Sequence, residues 1–170
     1  MIEVITILFI ISLGMIGVLS LIVQNIASQS LNKNTLIAYQ LAQEGVELVR
    51  KVRDTNWNQI PPSAWDTNLA SGHYYMDYTD AVPILAVAGC ANCPMSSPSF
   101  AIAEEFGNLY QDADGMYLDN PGSVLPGTSF YRIITISGQA PAISVVANIF
   151  WKDRTRIYEY SLETMLYDWR

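Results

Sequence analysis

The sequence predicts an α+β protein: one long N-terminal helix over about residues 1–53, whose outer half packs on a small C-terminal antiparallel sheet. Three patterns predict it. Val4 to Val23 is apolar apart from Thr6, Ser12 and Ser20. Apolar residues then recur at threes and fours as far as about Arg53. The last third alternates with period two between turn residues.

The first pattern sets the length. Between Glu3 and Lys33 lie 29 residues without a charge, and twenty helical residues rise about 30 Å, the thickness of a bilayer's hydrocarbon. A secretory signal peptide would start with Lys or Arg and carry a shorter apolar core; here Glu3 stands where a cation is expected. A single-span anchor fits the length, but it leaves Glu3 unexplained. A carboxylate buried at the edge of an apolar helix costs several kcal/mol without a partner. The nearest cation, Lys33, is 30 residues away. In a bundle of identical helices, the N-terminal ammonium on Met1 of one copy can meet Glu3 of the next. Staggers that leave the acid alone are then rejected.

From Gln24 the composition turns polar while helical spacing persists. Leu31, Thr35, Ala38, Ala42, Gly45, Val46 and Val49 form a stripe that Leu41, Leu48 and Val52 widen. Glu47 stands four before Lys51, a favourable helix pair. Arg50, Lys51 and Arg53 crowd the expected C-terminal end, where the helix dipole favours cations, and Asp54-Thr55-Asn56 is expected to stop the helix. So long a helix cannot be covered throughout by the rest of the chain. Its outer half should dock on a sheet while its inner half stays bare for membrane or neighbouring copies.

The opening "IEV", the apolar run and the stretch "LIVQNIASQSLNKNTLIAYQLAQEGVELVRKVRDTNW" together resemble the mature N-terminus of a type IV pilin. Members often show an "A-x-x-LAQEG-x-E-x-VR-x-x-RD" pattern there. The resemblance implies a pilin fold and a precursor cut by a prepilin peptidase. It implies N-methylation of the first residue, and polymerisation by pilus assembly machinery into a surface filament. Glu3 matches the family's glutamate, although that residue usually lies two positions further in and only Met1 and Ile2 precede it here. In filaments of this family the N-terminal helix loses hydrogen bonding over a short middle stretch, which would correspond to Gly14 to Ser20. Gly14 and Gly17 are thus either a candidate helix break or simply sites of close helix packing.

Residues 54–128 read as a loop-rich region. "SGHYYMDYTD" suggests a short strand with Tyr74, Met76 and Tyr78 on one side, and His73 as a surface or aromatic-packing residue. Cys90 and Cys93 form a lone C-x-x-C that lacks both a second zinc half-site and the βαβ setting of redox motifs. Outside the membrane a small disulfide ring is expected; two free thiols are the alternative. "DADG", Asp112 to Gly115, lacks the flanking acids of a calcium loop, since Tyr110 and Pro121 occupy those places. It is read as a turn, and "LYQDADGMY" is similar to a stretch found in pilins.

"SFYRIITISG", "AISVVANIFWKD" and "RIYEYSLETMLYDW" read as three strands of an antiparallel meander with one solvated face. Ile143, Val145, Ala147, Ile149 and Trp151 share one face of the second. Tyr158, Tyr160, Leu162 and Leu166 share one face of the third, opposite Glu159, Ser161 and Glu163. Basic regions at Arg50, Lys51, Arg53, Lys152, Arg154 and Arg156 contrast with acidic loops at Glu104, Glu105, Asp112, Asp114 and Asp119. Such patches are either solvated surface or complementary contacts between subunits.

The expected organisation is a filament-core or membrane-spanning helix half over 1–28 and a globular domain over 29–170, made of helix 29–53, a variable loop region 54–128 and strands over 129–169. The net charge of −7 argues against nucleic acid as main partner. One histidine and two cysteines leave little for catalysis or metal binding, and no catalytic set, phosphate loop or cofactor motif is present, so neither enzyme activity nor a cofactor is expected. The expected partners are copies of the chain itself, the cytoplasmic membrane before assembly, and the assembly machinery. The expected location is a surface pilus serving adhesion, motility or DNA uptake. A pseudopilin of a type II secretion system and a membrane-anchored binding module that never polymerises are the rival readings.

Overall fold

The computed structural model describes residues 2–61, 63–86, 98–112, 115–119, 130–153 and 155–169. The architecture is α+β, with a long N-terminal helix, α1 (Ile2–Asn58), and an antiparallel seven-stranded sheet. The chain divides into two compact units, residues 1–36 and 37–170.

In the first unit α1 is continuous through Gly14 and Gly17, and its residues from Ile2 to Ser30 are all exposed. Two hydroxyls of the apolar run turn back onto their own helix. Thr6 Oγ1 donates to the Glu3 carbonyl and Ser12 Oγ to that of Phe9, each at 2.8 Å. Side-chain polarity at these points is satisfied locally, as a helix without water requires.

In the second unit the rest of α1 lays Ala38, Leu41, Ala42, Gly45, Val46, Leu48, Val49 and Val52 into the core. The helix does not stop at Arg53 as expected but continues to Asn58. Thr55 Oγ1 donates to the Lys51 carbonyl at 2.7 Å, which lets a turn-forming residue stay helical. Asn56 is buried, and its amide donates to the carbonyls of Trp65 and Thr67 at 3.1 and 2.8 Å. Tertiary bonds thus override the local preference of Asp-Thr-Asn for a break. As a result the last helical turn holds no basic residue. Glu47 pairs with Arg50 instead of Lys51, and Lys51 Nζ donates to the Tyr78 carbonyl at 3.3 Å.

The expected loop region contains regular elements: β1 (Gly72–Tyr75), β2 (Ile84–Leu85), α2 (Phe100–Phe106), β3 (Asn108–Gln111) and β4 (Tyr117–Leu118). Then follow β5 (Phe130–Gln139), β6 (Ala142–Asp153) and β7 (Arg156–Tyr167), the three strands read from the sequence. β5 pairs along one edge with β6. Its other edge is shared, with Phe130 and Tyr131 facing β3 while Ile134 to Ile136 face β1. β2 and β4 pair with β1 and β3, and β7 pairs with β6.

Burial follows the predicted alternation on one face. Ile143, Val145, Ala147, Ile149 and Trp151 of β6 are buried, and Ile143 and Val145 share a core cluster with Ile134, Ile136, Val49 and Val52. The single solvated face holds only for β7, where Glu159, Ser161 and Glu163 are exposed. Opposite α1, Ile133 and Phe150 are also buried, because α2 brings Ala103 onto them and Phe100 and Phe106 pack at the margin. Gly107 ends α2 so close to β5 that a Cβ there would stand 2.6 Å from the Arg132 carbonyl.

Arg132 ties the layers together. It lies on the α1-facing side of β5 with 1% of its surface exposed. Its Nη1 donates to the Leu41 carbonyl at 3.3 Å and lies 3.2 Å from Glu44 Oε1, and Nη2 donates to the Met76 carbonyl at 2.7 Å. Gly45 makes room for this side chain: a Cβ there would meet Arg132 Cδ at 3.1 Å and Ala147 Cβ at 3.3 Å.

Gly45→Val should therefore destabilise the second unit by about 1–3 kcal/mol through overpacking, as read from urea unfolding by tryptophan fluorescence. Gly17→Ala, where an added Cβ meets nothing within 4 Å, should leave that midpoint unchanged. Arg132→Leu strands the Met76 and Leu41 carbonyls and should cost about 1–3 kcal/mol by the same assay.

Candidate assembly surface

The first unit presents an unusual surface. Its large apolar residues, from Ile2 at 81% exposed to Ile22 at 49%, cover every side of the helix and not one stripe. A helix apolar all round is stable only inside a membrane or a larger core. It is also long and apolar enough to cross a membrane. Helical hydrogen bonding satisfies the backbone of this stretch, so what lacks a partner is side-chain surface, well beyond the few hundred Å² that monomers ordinarily leave bare.

Glu3 sits in the first turn of this helix, exposed, with no ion-pair partner among the described residues. The helix dipole favours a carboxylate there but supplies no counter-ion. Met1, Cys90, Cys93, Asp114 and Arg154 lie outside the described residues. Gly14 and Gly17 present flat backbone to the surroundings: among the described residues nothing lies within 4 Å of where a Cβ would stand. They suit close approach of a second helix.

In the second unit several expected features move. His73 is buried, 3% exposed, with Nδ1 at 3.0 Å from Thr135 Oγ1, and burial lowers its pKa. It is not a surface residue: the strand pairing of β1 with β5 carries it inside. Of the three residues expected to share one side, Tyr74 and Met76 are buried, whereas Tyr78 is exposed because β1 ends at Tyr75. Asp112 caps a turn, its Oδ1 accepting the Met116 amide at 2.9 Å, with Gly115 at φ +84°.

Among the described residues, three of the basic side chains in these patches meet acids in their own chain. Arg50 pairs with Glu47, Arg53 with Asp54 at 2.9 Å, and Lys152 with Glu104 at 2.5 Å. Arg53 also lies 4.8 Å above the Trp57 ring and Lys152 4.7 Å above Phe100. These pairs leave less free charge for contacts with other molecules than the sequence suggests.

Two charged groups escape sequence reasoning. Arg132 was visible only as a charge on the inner side of an apolar strand. Asp77, fully buried, and its neighbours Asp80 and Asp119 come from two distant loops, and no spacing rule joins them. Asp77 and Asp80 accept bonds within the fold: Asp77 Oδ1 from Thr79, Asp77 Oδ2 from the Asp119 amide, and Asp80 Oδ2 from the Asp77 amide.

A long N-terminal apolar helix and an antiparallel sheet packed on its outer part are compatible with a pilin-like fold. Comparison of the chain with family models, with curated proteins and with solved structures finds no match.

Proposed function

We propose that the chain is a structural subunit of a type IV pilus, held in the cytoplasmic membrane by its N-terminal helix until it is drawn into a helical filament. The observation that carries this reading is the fully uncovered apolar helix from Ile2 to Ser30, with a single acid in its first turn. The second unit has a core of its own: among the described residues every buried apolar side chain lies between Ala38 and Leu166. A membrane anchor needs the length but not the acid. A polymer of identical helices uses both.

In this reading residues 4–23 form the polymer core. Glu3 meets a cation brought by the neighbouring copy, its N-terminal ammonium, so that each added subunit stops at one register. Among the described residues nothing packs on Gly14 or Gly17, so close helix packing there or local loss of helix at Gly14 to Ser20 leaves the core of the second unit intact. A pseudopilin shares this logic and differs in where the polymer is displayed.

Replacing Glu3 with Leu separates the readings. The variant should insert in membranes as before, yet surface filaments recovered by shearing should be lost. Unchanged filaments would refute registration by Glu3. A wild-type chain that is never found in sheared filaments, yet stays monomeric in membranes, would favour the plain anchor. Mass spectrometry of the sheared fraction should find this chain as its main component, with a methylated first residue.

A further inference from the structure

β7 forms one edge of the sheet. Its pairing with β6 runs from Ala142↔Tyr167 to Asp153↔Arg156 in one unbroken register. Among the described residues no strand pairs with its other side, so every second residue of β7 turns a backbone N–H and C=O outward. Edges of this kind are usually blunted by a proline, a bulge, a lysine or a covering segment. β7 has no proline, no lysine and no bulge. Nor does α1 close over it, since Val46 and Arg50 of the helix and Leu162 and Thr164 of the strand line an open groove.

Polar groups on the face of β7 away from α1 are drawn toward the sheet and not toward the edge. Glu163 Oε1 accepts Ser144 Oγ of β6 at 2.8 Å, and Ser161 Oγ donates to Asn148 Oδ1 of β6 at 3.0 Å. On the same face Ile157, Met165 and Tyr167 are 51%, 45% and 53% exposed. An outward row of backbone groups flanked by long apolar side chains is surface for another strand.

A second β7 fits this edge in one register. Two copies related by a twofold axis pair antiparallel, and residues that face each other must lie on the same side of the sheet. An axis at Ser161 would set Glu159 against Glu163, and an axis at either glutamate would set it against itself; like charges directly opposite are unfavourable. An axis at Leu162 avoids both and pairs more of the strand than one at Tyr160 or Thr164. Glu159 then faces Met165, Ser161 faces Glu163 and Ile157 faces Tyr167. On the α1 side Tyr158 faces Leu166, and Arg156 takes the position opposite Asp168, so that charges of opposite sign meet at each end of the contact.

We propose that β7 is a homotypic docking edge: two copies of the chain join β7 to β7, antiparallel about Leu162, into one continuous sheet. This does not rest on the filament reading. The axis reverses the direction of the second unit between the copies, so the contact is separate from the proposed packing of N-terminal helices.

The test is residue-resolved amide hydrogen exchange of the full chain in detergent micelles at low and at high protein concentration. Alternate amides of β7, those that face away from β6, should exchange about tenfold more slowly once about nine copies in ten are paired, while those of β5 and β6 stay as they are. Association through the N-terminal helices alone would not produce that alternation. Met165→Glu sets a like charge opposite Glu159 and should abolish the concentration dependence. Adding Glu159→Lys makes the same position an opposite-charge pair and should restore it, with β5–β6 protection in each variant reporting that the fold persists. Fast exchange at both concentrations leaves the edge bare, slow exchange at both puts detergent or another segment of the chain on it, and either overturns the proposal. So does protection that survives Met165→Glu or fails to return in the double variant.

Discussion

Everything in this protein is arranged around a helix that needs different surroundings at its two ends. From Ala38 onward α1 has a sheet to lie on, and the buried residues Ala38, Leu41, Ala42, Gly45, Val46, Val49 and Val52 follow helical spacing. From Ile2 to Ser30 every residue is exposed. Burial of apolar surface contributes about 25 cal/mol per Å², so a helix exposing its full circumference to water is strongly disfavoured. The first unit is stable only in contact with lipid or with other protein. A bilayer and the proposed polymer would each meet that need.

Within the second unit, size and charge are matched at one crossing point. Gly45 leaves the space that Arg132 fills, and Arg132 binds a helix carbonyl, a loop carbonyl and a helix carboxylate at once. A buried guanidinium is costly unless its donors are satisfied. Its two Nη groups are engaged while its Nε has no hydrogen-bond partner, and through the Nη contacts it fixes how α1, β5 and the loop after β1 lie together. The sheet is thereby held on both sides, with α2 covering Ile133 and Phe150 on the far face.

What the sequence revealed, and what it concealed, divides along the range of the interactions. The apolar run, the stripe on α1 and the alternation in β5, β6 and β7 are periodic, and periodicity survives in one dimension. Asn56 is a counter-example: locally it reads as a helix stop, but its amide bonds to Trp65 and Thr67 keep it helical. The two-residue strands β2 and β4 owe their existence to β1 and β3, so they leave no pattern of their own. The same holds for His73, which sits beside polar and aromatic residues in sequence yet is drawn inside by pairing with β5. Of the proposed assembly features, Glu3 and the two glycines were legible because their oddity is local. The Asp77–Asp119 contact was not, since it joins residues 42 apart in sequence.

The small hydroxyls in the apolar run have a consequence for how such a helix could travel. Thr6 and Ser12 already donate to carbonyls one turn back. Neither group has to find a new acceptor when hydrocarbon tails around it are exchanged for side chains of a neighbour. Exit from a bilayer into a polymer of the proposed kind is then a swap between two oily environments of similar polarity, with no wet intermediate required. It can run in either direction, and the work of a motor would go into displacement and not into dehydration.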